Sequence, residues 1–137
     1  MPKAAEKTIT TVGKRKKAIA RAVLKKGSGR IRINSKPINQ ITPRYINMRL
    51  REPLTLGESA AKSVDINVSV KGGGVWGQAD AARTAISKAL VRFEPSLKQT
   101  FLDYDRSMLI SDSRQTEPHK PSRSTAGPRR TKQQSKR

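Results

Sequence analysis

Apolar and polar residues alternate in several segments of the chain, a pattern typical of β-strands with one buried face. The clearest case is residues 64–70, where Val64, Ile66, Val68 and Val70 alternate with polar residues. A threonine-rich stretch over residues 9–12 is a further candidate strand. Over residues 18–24 the alternation places Ala18, Ala20, Ala22 and Leu24 on one side and Ile19, Arg21 and Val23 on the other. We therefore expect a sheet with one face in the core.

A β-hairpin is predicted between residues 18–24 and 30–34. The segment KKGSG, residues 25–29, supplies glycines suited to a hairpin loop. In the return strand Ile31 and Ile33 are expected to point inward, while Arg30, Arg32 and Asn34 point outward. The hairpin would then bury one face and present arginines on the other.

Three helices are predicted from apolar periodicity, prolines and capping residues. The first begins at Pro43, with Thr42 as its N-cap, and ends at Pro53. A short third helix covers about residues 96–104, with Leu97, Phe101 and Leu102 facing inward. In the long second helix, the apolar arc is expected to hold Val75, Ala79, Ala82, Ile86, Ala89, Leu90 and Phe93, with Thr84, Ser87, Lys88 and Arg92 outside it. These elements predict an α+β fold, a small mostly antiparallel sheet with helices on one face.

The charge composition gives information about function as well as about fold. The chain has 137 residues, with 30 Lys and Arg against 10 Asp and Glu, a formal net charge of +20 and a pI near 11.3. A compact protein with this charge repels itself unless a polyanion neutralises it, and clustered basic charge is typical of nucleic-acid binding. The absence of cysteine excludes disulfides and thiolate zinc sites, and the single histidine, His119, is interpreted as a solvated linker residue. No metal or cofactor is expected.

No apolar run approaches the roughly 20 residues of a membrane span, and the N-terminus lacks a hydrophobic signal region. A soluble, cytoplasmic protein is therefore expected, with no membrane partner.

The C-terminal segment, residues 118–137, contains no acidic residue. Its charge and its prolines prevent it from burying much apolar surface, so we expect it to be unfolded when free and to bind a dense array of phosphates. We divide the chain into a globular domain, residues 1–105, and an extended basic tail, residues 106–137. The cations of the segment are Lys120, Arg123, Arg129, Arg130, Lys132, Lys136 and Arg137.

The glycine-rich loop Lys71–Gly74 follows a predicted strand and precedes a predicted helix. Two interpretations stay open. A helix N-terminus offers free N–H groups and a positive dipole end, so the loop could contact a phosphate, here an RNA phosphate. Alternatively the glycines simply allow a sharp strand-to-helix turn. The loop has neither the Walker ending nor the G-x-G-x-x-G spacing of a nucleotide site.

Three strings carry a family resemblance. The string GGGVWGQADAARTAISKAL, residues 72–90, GKRKKAIARAVLKKGSGRIRIN, residues 13–34, and the ending SKR, residues 135–137, resemble the universal small-subunit ribosomal protein nine family. The resemblance covers nearly the whole chain in the right order. Residues 108–129 are closer to the archaeal and eukaryotic branch, although Lys136 stands where that branch more often has Tyr. The chain is interpreted as archaeal-type.

The resemblance implies a fold similar to the second domain of ribosomal protein five, with a left-handed crossover. It also implies a structural, non-enzymatic protein in the head of the small ribosomal subunit, acting in translation. The expected partners are ribosomal RNA, neighbouring head proteins and P-site transfer RNA, with no homo-oligomer. In this family the tail reaches the anticodon stem-loop, and the matching residues are Lys136 and Arg137.

The candidate contacts to ribosomal RNA are basic residues and the glycine loop. The candidates are Lys14, Arg15, Lys16, Lys17, Arg21, Arg30, Arg32, Lys71, Gly72, Gly73, Gly74, Lys88, Lys120, Arg123, Arg129, Arg130 and Lys132.

Trp76 is interpreted as a core residue, because tryptophan carries a large apolar surface, with stacking on a base as the alternative.

Two other functions are compatible with parts of the sequence. A minimal phosphotransferase could use the glycine loop, but acidic metal ligands near it and the Walker lysine are missing, and no nucleophile with its base emerges. A chromatin-type DNA packager would also be basic, and competition between RNA and duplex DNA separates it from an RNA-binding protein.

Overall fold

The computed structural model describes residues 7–41 and 43–116. The strands are β1 (Ile9–Arg15), β2 (Ala18–Lys26), β3 (Ile31–Ile33), β4 (Lys36–Pro37) and β5 (Val64–Lys71). The helices are α1 (Arg44–Leu56), α2 (Glu58–Ala61), α3 (Val75–Phe93) and α4 (Leu97–Tyr104), with 3₁₀ turns at Ile38–Gln40 and Arg106–Met108. The strands form one sheet in the order β1-β2-β5-β3-β4, antiparallel except for the parallel β3–β5 pair. The predicted α+β class is confirmed.

Helix α3 packs across β1, β2 and β5 and buries the inner face of the sheet. Leu24, Ile66, Ile86, Leu90 and Phe101 are among the most completely buried side chains. The other sheet face carries no helix in the described part of the chain, so its outward side chains stay exposed, Val12 by 45% and Ile19 by 48%. The layering therefore leaves one face of the sheet open.

Gly13 sets how closely β1 approaches α3. A Cβ atom at this position would lie 2.1 Å from the carbonyl oxygen of Ala81, too close for any other residue without movement of the backbone. Beside it, the Thr11 hydroxyl donates a hydrogen bond to the Ala85 carbonyl at 2.7 Å. The strand is thus fixed on the helix, and the edge of the sheet is fixed with it.

The predicted hairpin between residues 18–24 and 30–34 is wrong. Strand β2 pairs with β1 across a turn at Lys16 and Lys17, and with β5 on its other side, while β3 runs parallel to β5. The glycines of residues 25–29 are a local signal and do not determine which strands pair. The strand with the complete apolar face, β5, takes the centre of the sheet. The KKGSG segment instead wraps the start of β5, where the backbone N–H groups of Ser28 and Arg30 each donate to Asp65 Oδ1 at 3.0 Å.

The predicted alternation of inward and outward side chains over residues 30–34 is correct, although the predicted strand pairing is wrong. Ile31 is buried, Arg30, Arg32 and Asn34 are exposed, and Ile33 is half-buried. The strand at residues 64–70 is also confirmed, as Val64–Lys71 with every second residue buried.

Helix α1 continues past its predicted end at Pro53 and stops at Leu56. Proline lacks an N–H group, so the helix loses one backbone hydrogen bond there. The Pro53 ring is fully buried, and its carbonyl accepts a hydrogen bond from the Gly57 N–H at 3.0 Å. Packing therefore outweighs the local break. The start of α1 at Arg44 agrees with the prediction, while the predicted cap Thr42 lies outside the described residues.

The buried face of α3 includes residues on one side that the prediction placed outside it. Ala79, Ala82, Ile86, Ala89 and Leu90 are buried and Phe93 is half-buried, as expected. In contrast to the prediction, Thr84 and Ser87 are also buried and Val75 is exposed. Both hydroxyls donate to carbonyls one turn earlier in the helix, Thr84 to Asp80 at 3.0 Å and Ser87 to Arg83 at 2.7 Å, so their burial leaves no unpaired donor. Helix α4 is confirmed, with Leu97 and Phe101 buried.

The chain continues to pack against the body beyond residue 105. Met108 is fully buried in the core, and Asp105 caps the turn that contains it by accepting from the Ser107 N–H at 2.9 Å. The division of the chain at residue 105 stays a prediction.

Candidate nucleic-acid interface

The open face of the sheet presents cations in register across three strands. Lys14 lies opposite Ile19, which lies opposite Lys71, and Val12 lies opposite Arg21, which lies opposite Ser69. On the far side of β5, Arg32 lies opposite Asn67. We call this surface the sheet face, and define it by Val12, Lys14, Ile19, Arg21, Arg32, Asn67, Ser69 and Lys71. In the described part of the chain, no ion pair involves its cations.

The β1–β2 turn brings the basic run of residues 14–17 to the glycine loop. Lys16 has a left-handed φ of 54°, which lets the chain reverse within two residues. Gly72 packs so close that a Cβ atom there would lie 2.5 Å from the Lys17 carbonyl oxygen. A shallow depression results, lined by Lys17, Ile19, Arg21, Ser69, Lys71 and Gly72. Two segments far apart in the sequence thus form one basic surface.

The glycines of the loop have different reasons to be glycine. Gly72 and Gly73 have left-handed φ values of 77° and 67°, and a Cβ atom on Gly73 would lie 3.0 Å from the Ala18 nitrogen. The turn itself requires these two. Gly74 has an ordinary φ of −96°, and a Cβ atom there would meet nothing within 4 Å. Its small size leaves open space at the N-terminus of α3.

Arg15 is separated from its basic neighbours. It shares the inward phase of Thr11 and Gly13 in β1, and its guanidinium lies 3.2 Å from Asp112 Oδ2 and 3.9 Å from Asp80 Oδ2. Asp112 also contacts Arg114 at 2.6 Å. The charge of Arg15 is therefore compensated inside the protein, and its assignment to RNA stays a prediction. The strand phase was the signal in the sequence that could have separated it from Lys14 and Lys16.

Hydrogen bonds from the Arg114 side chain and N–H, followed by the charges of Arg114 and Arg15, hold the pKa of the Asp112 carboxyl well below its usual range. These contacts favour the ionised form of Asp112. The segment after the last 3₁₀ turn is thereby held against the start of the β1–β2 turn.

Arg83 is the buried centre of the same group of charges. Its side chain is 3% exposed, and Nη2 lies 2.6 Å from Glu52 Oε2 and 3.0 Å from Asp105 Oδ2. Its Nε has no hydrogen-bond partner within residues 7–41 and 43–116. These contacts tie α1, α3 and the last 3₁₀ turn together. We call the whole group the ion-pair cluster, and define it by Arg15, Arg49, Glu52, Asp80, Arg83, Asp105, Asp112 and Arg114.

The acids outside the cluster are also engaged. Glu58 pairs with Lys62, Asp65 accepts from loop N–H groups, Glu94 accepts from Ser96 and Asp103 from Gln99. Every acidic residue that the structure describes therefore has a partner within the chain. The surplus positive charge is left for an external partner.

The remaining predicted contacts are dispersed. Arg30 is exposed at the opposite end of β5, beside Asp65. Lys88 donates to the Val12 carbonyl at 3.2 Å, and Arg92 to the Thr10 carbonyl at 2.9 Å, so both cover the free edge of β1. The tail residues lie outside the described residues, namely Lys120, Arg123, Arg129, Arg130, Lys132, Lys136 and Arg137.

Trp76 is not a core residue, and that prediction is wrong. Its side chain is 56% exposed and stacks on Tyr45, which is 54% exposed, with ring centroids 4.9 Å apart and planes 17° from parallel. The physical reason is its direction in the first turn of α3: Trp76 faces Tyr45 of α1, whereas the next residue, Gly77, is the one that lies close to the sheet at Arg15 and Ala18. The sequence offered one signal, the scarcity of aromatic residues, and it favoured the core.

Comparison with known proteins decides the family. Residues 13–137 match the family described as Ribosomal protein S9/S16. This chain belongs to that family. It is 53% identical to the small ribosomal subunit protein uS9 of Methanococcus maripaludis (strain C7) over 131 residues, 94% of this chain and 98% of the relative. The protein of the same name from Methanothrix thermoacetophila is 47% identical over 116 residues, 83% of this chain and 88% of the relative.

Family membership confirms the resemblance carried by residues 13–34 and 72–90, and the archaeal origin of these relatives agrees with the archaeal-type interpretation. As a member of this family, the protein is a structural component of the ribosome, in the cytoplasm, with a role in translation and no enzymatic activity.

Among residues 7–41 and 43–116, no helix has both the length and the apolar character needed to cross a bilayer. In the same ranges, no group of three or more His, Cys, Asp or Glu side chains is placed to hold a metal ion.

Proposed function

We propose that this protein is a constituent of the small ribosomal subunit that binds ribosomal RNA in the subunit head through the sheet face and the adjoining β1–β2 turn. The observation that carries the proposal is the separation of charge. The acids of the described residues are engaged internally. Lys14, Arg21, Arg32 and Lys71 form no ion pair within residues 7–41 and 43–116, and they lie on one sheet face that no described helix covers. Such a surface suits a phosphate backbone.

The binding energy would come chiefly from released counterions. Each phosphate neutralised by a lysine or arginine frees cations condensed on the RNA, so affinity falls as salt rises. Arg21 and Arg32 add planar, bidentate hydrogen bonding to phosphate oxygens. The side chains between the cations, Val12 and Ile19, offer apolar contact to sugars and bases. Hydrogen bonds can come from the Asn67 amide and the Ser69 hydroxyl.

The test is a salt titration of filter binding, with the full chain and small-subunit ribosomal RNA. The double variant Arg21→Gln/Lys71→Gln should bind more weakly than the wild type. Its affinity should also fall less steeply with salt, with the magnitude of the slope of log K against log salt reduced by about two. The matched control is Lys98→Gln, an exposed lysine on α4 at the helical side of the sheet, which should leave the slope unchanged. Equal slopes for the double variant and the wild type would refute the proposed surface. An equal preference for duplex DNA at the same salt would favour a DNA-packaging role instead.

We further propose that the C-terminal tail leaves the body and reaches the anticodon stem-loop of P-site transfer RNA with Lys136 and Arg137. Residues 118–137 lack acids, and twenty extended residues span about 65 Å at roughly 3.3 Å each. Order gained on binding would cost entropy that phosphate contacts offset. The protein would act as a single copy beside neighbouring head proteins.

Removal of Lys136 and Arg137 should weaken retention of P-site transfer RNA on the small subunit and leave subunit assembly largely intact. Filter binding of transfer RNA to reconstituted subunits measures the first, and sedimentation measures the second. Unchanged retention would reject this role of the tail without affecting the proposal for the sheet face.

A further inference from the structure

An aromatic surface lies on the body beside the glycine loop. Tyr45, Met48, Val75 and Trp76 are each more than half exposed, at 54%, 59%, 59% and 56%. Large apolar side chains grouped in this way on a soluble protein mark a surface that a partner covers. We call this group the aromatic platform.

The two rings of the platform lie on helices that pack against each other in the free chain. Tyr45 lies in the first turn of α1 and Trp76 in the first turn of α3, and Ile46, Leu50 and Ala79 of these helices are buried. The rings already stack with centroids 4.9 Å apart. A flat ligand could therefore extend the stack with little additional loss of side-chain freedom.

The charges around the platform indicate the kind of ligand. Arg44 precedes Tyr45, and Lys71 precedes the loop that leads to Trp76; both are exposed and have no ion pair among the described residues. The acids nearest in sequence, Glu52 and Asp80, are held by Arg83, Arg49 and Arg15 in the ion-pair cluster. A partner must combine a flat apolar group with negative charge.

The glycine loop fits the same ligand. A Cβ atom on Gly74 would meet nothing within 4 Å, so open space lies directly before Trp76. A backbone can approach the first turn of α3 there without meeting a side chain. A nucleotide provides both parts, a planar base for the rings and a phosphate for the cations.

We propose that the aromatic platform holds an unpaired base of ribosomal RNA stacked on the Tyr45–Trp76 pair. The base must be unpaired, because the faces of bases inside a duplex are already covered by their neighbours. The inference rests on the proposed RNA-binding function and adds to it a contact that distinguishes single-stranded from duplex RNA. The sheet face, by contrast, neutralises phosphates of either form.

The chain contains one tryptophan, so its fluorescence reports on this site alone. The probes are a single-stranded oligouridylate of ten nucleotides and an RNA duplex of ten base pairs, each added to the full chain at low salt. The oligouridylate should quench the emission of Trp76 and shield it from acrylamide, while the duplex binds with little change in emission. Emission that does not respond to the single strand, or responds equally to both, overturns the proposal.

Variants separate this contact from the charge contacts. Trp76→Leu should weaken oligouridylate binding about tenfold with an unchanged salt slope, and Trp76→Phe should restore most of the affinity. The Trp76 side chain is more than half exposed, so neither substitution puts folding at risk. If Trp76→Leu binds as the wild type does while Arg21→Gln/Lys71→Gln binds more weakly, the platform is rejected and the proposed function stands. If Trp76→Leu and Arg21→Gln/Lys71→Gln both bind as the wild type does, the proposed function fails too. Shielding of Trp76 by purified neighbouring head proteins in the absence of RNA would assign the platform to a protein partner and overturn the inference.

Discussion

The ion-pair cluster and the sheet face are both rich in cations, and they use them in opposite ways. In the cluster, Arg15 and Arg83 lie in contact with carboxylates and are 17% and 3% exposed. On the sheet face, Lys14, Arg21 and Lys71 are exposed and have no acid partner among the described residues. The difference shows that a high net charge does not determine the role of any single cation. That role depends on whether an acidic side chain lies within contact distance of the cation.

The two regions should therefore respond to different perturbations. Loss of a cation from the cluster leaves partly buried carboxylates without their partner and destabilises the fold. Loss of a cation from the sheet face removes repulsion between like charges and leaves the fold intact. Stability and RNA affinity, measured on the same variants, can break or confirm this distinction.

The largest expected effect is on the buried centre of the cluster. Arg83→Met keeps the volume and removes the charge that faces Glu52 and Asp105, so it should lower the free energy of unfolding by about 3 kcal/mol. Urea unfolding followed by circular dichroism measures it. As a control, Glu52→Gln and Asp105→Asn added to Arg83→Met should recover part of the loss, because no buried charge then lacks a partner. A single variant as stable as the wild type would show that the cluster contributes nothing to the fold.

The glycine loop, at the border of the sheet face, gives a matched pair of substitutions. Gly72→Ser should cost about 2 kcal/mol, because Gly72 has a left-handed φ of 77° and a Cβ atom there would lie 2.5 Å from the Lys17 carbonyl oxygen. Gly74→Ser should be neutral or slightly stabilising, because the position is open and serine is a good N-cap.

Thermal unfolding of the two serine variants checks the prediction. If Gly74→Ser folds as well as the wild type and yet binds RNA more weakly, the loop approaches RNA at that residue. Equal destabilisation by both substitutions would contradict the distinction between Gly74 and Gly72.

Acid pH should affect the cluster through Asp112. Its folded-state pKa is lowered by hydrogen bonds and charge from Arg114 and by Arg15, so its stabilisation is fully present above the unfolded-state pKa of about 3.9. As the pH falls below that value toward the folded-state pKa, the stabilisation is lost. Asp112→Asn should therefore be less stable than the wild type at pH 7, and the difference should shrink below about pH 4.

Urea unfolding at a series of pH values from 7 to 3 measures this difference. A difference between wild type and Asp112→Asn that does not change with pH would mean that the carboxylate charge is not what holds the segment.

The smallest expected effect on stability belongs to the sheet face. Arg21→Gln should change the free energy of unfolding by no more than about 0.5 kcal/mol, since its side chain is exposed and has no ion pair with any residue that the structure describes. The same urea measurement serves as the check. A loss comparable to that of Arg83→Met would remove the distinction between the two regions.

Sequence periodicity predicted the elements well, because it depends on residues close together in the chain. Val64–Val70 and Leu97–Tyr104 follow from alternation and from helical spacing. Pairing of strands depends on competition among all strands, so the glycines of residues 25–29 suggested a hairpin that β5 displaces. The end of α1 was missed for a similar reason, since burial of Pro53 outweighs its local cost.

The candidate interface was predicted in composition and only partly in arrangement. Lys17, Arg21 and Lys71 are predicted from their charge, and the fold brings them to one surface. Nothing in the local sequence marked Asp80 and Asp112 as partners of Arg15, because they lie more than sixty residues away. The core placement of Trp76 is wrong because the local sequence does not show that its side chain faces α1 and not the sheet.

By itself the sequence determined the positive charge, most of the strands and helices, and the family, since these depend on composition and on neighbouring residues. It did not predict the short elements β4 and α2. Only the tertiary structure decided which cations are neutralised inside the protein and which face outward, because that depends on distances between residues remote in the chain. The stacking of Tyr45 on Trp76 belongs to the second group, since two helices must pack before their rings can meet.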